Sequence, residues 1–123
     1  MSGVITLITK ARTAVYAVLV GAVVGVHPSH ATNMTAGVVL EKMDAKELFA
    51  YVYGIVDGMA YARFRKDSLV AGSKQEAGMK CIYDWFFEGE TDTFVKVEAA
   101  FRQNAQHVPP VIIATMIKIE CGE

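Results

Sequence analysis

Apolar residues recur at helical spacing over most of the chain, whereas near its start they run together without interruption. Leu48, Val52, Ile55 and Met59 stand at i, i+4, i+7 and i+11, and Phe49, Val56, Ala60 and Phe64 widen that stripe. Asp44 precedes it, with Glu47 three positions on, the capping-box spacing with Asp in place of Ser or Thr. The pattern predicts a long helix opening at Asp44 and closing near Arg63, Arg65 and Lys66, cations that suit the negative end of a helix dipole. So broad an apolar face predicts a central helix touched on several sides.

Beyond it, Gly72, Ser73 and Gly78 mark residues 68–78 as a loop or a frayed short helix. Residues 79–88, carrying Cys81, Trp85, Phe86 and Phe87, form an aromatic-dense stretch read as helix, which Gly89 ends. Thr91 or Asp92 can cap the next helix, whose face is lined by Phe94, Val97, Phe101 and Ala105. His107-Val108-Pro109-Pro110 then breaks the chain, and Pro110 suits the first turn of a last helix, where a missing N–H removes no intrahelical bond. The β-branched content of residues 111–120 also permits a strand, but the proline start and the helical neighbours favour helix. The expected fold is all-α: a small bundle of about four helices over residues 44–123, behind a flexible lead-in at residues 32–43.

The uninterrupted run lies at residues 14–26, about thirteen uncharged positions after Lys10 and Arg12. Pro28 breaks it, and Ser29-His30-Ala31 sets small residues three before and immediately before a cut between Ala31 and Thr32. The run is shorter than the roughly twenty apolar residues of a spanning helix. Residues 1–31 are therefore expected to be a cleaved export signal, leaving no stable membrane anchor and placing the mature domain in the periplasm or outside the cell.

Removing that segment leaves ten basic residues against thirteen acidic ones. With no basic stripe and no interleaved stacking aromatics, nucleic-acid binding has no electrostatic footing. A mature domain of this length holds one core and is marginal without a staple. Cys81 and Cys121, the only cysteines, can supply one in an oxidising compartment; free buried thiols and an intermolecular bridge are the alternatives. With no CxxC and only His107 as a mature histidine, zinc-ligand spacing is missing and no metal or cofactor is expected.

Few residues invite chemistry. Asp57, on an otherwise apolar helix, is either a buried carboxylate meeting a loop or ligand, or a solvated-edge residue near Tyr53, Tyr61 and Arg65. Gly54 and Gly58, one turn apart, each cost roughly 1 kcal/mol against alanine. Either another helix approaches closely there, from this domain or a partner, or the glycines are simply tolerated. His107 has no nucleophile in a supporting motif and reads as a capping or surface residue, and Ser68, Ser73 and Thr91 stand in no GxSxG or SxxK context. Tyr51, Tyr53, Tyr61 and Trp85 are core or rim residues of types that also anchor protein interfaces. The chain reads as a non-enzyme.

The order of these elements resembles the Rap/Tai-type immunity proteins of type VI secretion. It runs from an export signal to Tyr51-Val52-Tyr53-Gly54-Ile55-Val56-Asp57-Gly58 and Cys81-Ile82, then an amphipathic helix, then His107-Val108-Pro109-Pro110 leading to Cys121. The resemblance covers about residues 44–121 and implies a disulfide-stapled periplasmic helical domain, often a homodimer, that blocks a secreted cell-wall amidase toxin. It implies a Cys81–Cys121 pair and aligns Gly54 and Asp57 with the family's helix motif, so that Tyr53, Gly54, Asp57, Gly58 and Tyr61 are the candidate partner-binding residues. A cysteine often found in the family's first helix has no counterpart here. A second resemblance, to HdeA/HdeB-type periplasmic acid chaperones, implies instead a domain that loosens at low pH and exposes apolar surface to clients. An exported accessory domain of no catalytic role is the third reading.

Overall fold

Five helices and no strand make up the residues described in this computed structural model, 34–89 and 92–123, all within the unit Thr32–Glu123. The export-signal expectation for residues 1–31, and Thr91 as a cap, fall outside them. No described helix is long and apolar enough to cross a membrane.

The expected lead-in contains the first described helix, α1 (Ala36–Lys42), capped by Thr35, whose hydroxyl accepts from the Val38 N–H at 3.4 Å. A seven-residue helix is too short to persist alone. Tertiary contacts hold it: Ala36 N–H donates to the His107 carbonyl at 2.8 Å and Gly37 N–H to the Ala105 carbonyl at 3.0 Å, while Ala36 and Val39 are buried. The orphan donors of its first turn thus end on a distant loop. Gly37 suits that approach, because a Cβ there would lie 3.2 Å from the Ala105 carbonyl oxygen, tighter than an ordinary van der Waals contact.

α2 (Ala45–Ala71) opens on the expected capping box: Asp44 Oδ1 accepts from the Glu47 N–H at 2.8 Å and Glu47 Oε2 from the Asp44 N–H at 3.0 Å. It runs past Arg63, Arg65 and Lys66 through the first part of the segment expected as loop, and stops at Gly72, which takes a left-handed φ of 67°. Nothing before Gly72 breaks the helix, and Ser68 closes the following turn by accepting from the Gln75 N–H at 2.9 Å. Its fully buried line is Leu48, Val52, Val56 and Ala60, a single i+4 ridge. The expected central helix is touched by the three helices that follow it, with Ile55 and Met59 half-buried, but one side stays open: Ala50, Tyr53, Gly54, Asp57, Gly58 and Tyr61 face solvent.

α3 (Ala77–Tyr83) continues into a turn of π-helix at Asp84–Glu88, burying Ile82 and Phe86 and leaving Phe87 exposed. Thr93 Oγ1 donates to the Trp85 carbonyl at 2.7 Å, tying this wider turn to α4 (Thr93–Gln103). Asp92 caps α4 by accepting from the Phe94 and Val95 N–H groups. Val97 and Phe101 carry its face into the core.

α5 (Pro109–Cys121) is helix rather than strand, with both prolines in its first turn and Ile112, Ile113 and Ile117 buried. Cys81 and Cys121 are joined across a Cα–Cα distance of 5.9 Å, linking α3 to the end of α5 and closing a sequence separation of 40.

Candidate protein-binding face

The five residues singled out from the sequence come together on one side of α2. Tyr53, Gly54, Asp57, Gly58 and Tyr61 are all exposed, the tyrosines to 42% and 58%. Their spacing sets them within about two-fifths of the helix circumference at 100° per residue. A Cβ added at Gly54 or Gly58 would meet nothing within 4 Å, so no other helix of this domain approaches there. With Ala50, also exposed, the glycines form a flat strip of bare backbone one turn apart.

Aromatic rings border that strip. Phe49 packs edge-on to Phe94 at 5.3 Å and lies 6.5 Å from Tyr53, which meets Phe87 edge-on at 5.6 Å. Phe87 in turn stands on buried Phe86 at 4.9 Å. Phe49 and Phe87 remain 44% and 50% exposed, so the row is anchored from beneath and open above. Phe49 and Tyr53 are one turn apart in sequence, but the addition of Phe87 from the π-turn is a tertiary event that helical periodicity does not foretell.

Asp57 is the solvated-edge residue, not the buried carboxylate. Its partner nevertheless comes from another helix: the Tyr83 hydroxyl donates to Asp57 Oδ1 at 2.6 Å. This bond, then partial burial and the nearby negative charge, pushes the Tyr83 phenol above its ordinary ionisation range. The result is a carboxylate held in place beside Gly54 and Gly58, with tyrosine rings nearby.

The other residues considered for chemistry are dispersed. His107 is exposed on the turn before α5, its carbonyl accepting from Ala36, and its side chain lines a shallow groove of about 250 Å³ with Asn104 and Val111. Ser68 and Ser73 are both spent on Gln75, one on its backbone and one on its side chain. Among the described residues no three of His, Cys, Asp and Glu gather into a possible metal site. Compared with protein-family models, with curated proteins and with solved structures, the chain matches none.

Proposed function

We propose that this chain is an exported, non-catalytic protein-binding domain of the immunity type, which seats itself on a cell-wall amidase and closes its active site. The observation that carries the reading is the open face of α2: Tyr53, Gly54, Asp57, Gly58 and Tyr61, all exposed and continuous with the row through Phe49 and Phe87. Tyrosines rooted at one end and free at the other are efficient interface anchors, since they bring large area at little entropic cost. Two glycines in mid-helix destabilise it by roughly 1 kcal/mol each. Inside the domain nothing occupies the space they leave, which supports close approach by a partner's backbone. Export belongs to the same reading, because residues 1–31 have the form of a signal and a structural disulfide suits an oxidising compartment.

The test searches the neighbouring reading frames for a peptidoglycan amidase and pairs the purified domain with it; a locus without one weakens the proposal sharply. Wild-type protein should inhibit cleavage, and Gly58→Leu or Tyr61→Ala should weaken inhibition by about tenfold or more, the scale of an interface hot spot. Both sites are exposed, so the melting temperature should not fall. An amidase indifferent to the wild-type domain would end the proposal, and a self-associating domain that Gly58→Leu renders monomeric would reassign the face to a homodimer.

A further inference from the structure

A groove opens on a different flank of α2, where the helix meets α3 and α5. It measures about 410 Å³ and has an apolar floor of Met59, Ala62, Ile82, Ala114 and Ile117. Arg63, Lys66 and Lys118 stand at its rim. By helical geometry its centre is about 130° round α2 from Gly54 and about 150° from Tyr61, so it lies away from the tyrosines of the aromatic face. Three cations against one acidic residue, Glu123, leave its lining net positive on a chain whose formal net charge is −1.

Arg63 is held rather than loosely solvated. Its side chain is only 17% exposed, and its Nε donates to Asp67 Oδ2 at 2.8 Å. The pair passes beneath Gly78, where a Cβ would lie 2.8 Å from Arg63 Cγ and 2.6 Å from Asp67 Oδ2. Glycine at this position is what lets the guanidinium pass and reach the groove. There Arg63 Nη1 donates to the Gly122 carbonyl at 2.9 Å, and Lys118 Nζ pairs with the Glu123 carboxylate. Lys118, and more weakly Lys66, keep that carboxyl below its ordinary value. The groove thus already holds a short piece of peptide by one backbone carbonyl and one acidic side chain.

We propose that this groove docks an acidic peptide segment of a protein partner, whose carbonyl and carboxylate take the places now held by Gly122 and Glu123 while a neighbouring apolar side chain covers Met59 and Ile117. Charge complementarity selects the carboxylate, and the openness of the site suits a segment lying along it rather than an enclosed small molecule. The ion pair to be displaced is weak, because Lys118 and Glu123 are both largely exposed. The inference is independent of the reading of the aromatic face.

The test uses the full disulfide-bonded domain, labelled with nitrogen-15 and titrated with the peptide acetyl-Leu-Gly-Glu-Leu amide. Saturable shifts should be confined to the amides of Ala62, Lys66, Ile117 and Lys118. Glu123→Ala, which removes the internal competitor, should tighten binding about two- to fivefold, the worth of one exposed ion pair. Lys66→Glu combined with Lys118→Glu, or the milder Lys66→Gln with Lys118→Gln, should abolish it without lowering the melting temperature. The proposal is overturned if the glutamine version of the peptide binds equally well, if Glu123→Ala still shows no saturable shifts, or if decanoate fills the groove and the peptide does not.

Discussion

Three glycines divide the labour of a single residue type. Gly54 and Gly58 leave open space, whereas Gly78 lies against the Arg63–Asp67 pair at distances no real Cβ tolerates. Gly54→Ala and Gly58→Ala should therefore each stabilise the domain by up to about 1 kcal/mol, by helix propensity alone. Gly78→Ala should destabilise it by about 1–3 kcal/mol, the range for forcing extra volume into a packed site. Urea unfolding of the three variants checks both signs. The sequence singles out the first two and leaves Gly78 in a loop. The reason is helical phase: Gly54 and Gly58 fall off the Leu48–Val52–Val56–Ala60 ridge, and only the packed molecule says which side of α2 is covered. Asp57 makes the same point. Its position at the helix edge is legible, but Tyr83 as its partner, 26 positions away, is not.

Helix identity was written locally. The capping box at Asp44, the Asp92 cap and the prolines opening α5 are short-range signals, and each stands where the pattern sets it. The elements that depart from expectation are those whose stability is borrowed. α1 has too few residues to nucleate alone, and its ordering rests on the turn around Ala105 and His107. Val39→Ala should lower the unfolding free energy by about 1–3 kcal/mol, as for a truncated core residue. An unchanged value would return this segment to a flexible lead-in. The π-turn at Asp84–Glu88 is likewise set from outside, by the need to bury Phe86 while Thr93 reaches the Trp85 carbonyl. It is this turn that carries Phe87 to the aromatic row.

At the scale of the whole molecule, a core of thirteen buried hydrophobic residues among those described is modest, and the disulfide supplements it. In the loop-closure model a crosslink spanning this separation contributes roughly 4 kcal/mol, a large part of the 5–15 kcal/mol typical of natural domains. Replacing Cys81 and Cys121 together by serine should lower the melting temperature by about 15–30 °C for a domain of this size. Reduction of the wild type should reproduce the shift, and coincident melting curves would refute a stabilising crosslink.

The amino-acid sequence alone determined an all-helical chain with its long capped helix, its proline-started last helix and the one pair of sulfurs able to join them. Those features depend on periodicity, caps and the count of cysteines, which neighbouring residues settle among themselves. The tertiary structure decided what remains accessible: that the glycine side of α2 is bare, that Asp57 meets Tyr83, and that Arg63 passes under Gly78 into a groove bordered by Lys66 and Lys118. These are matters of how one helix is rotated and set against another, and that rotation is fixed by side chains far apart in the chain packing together.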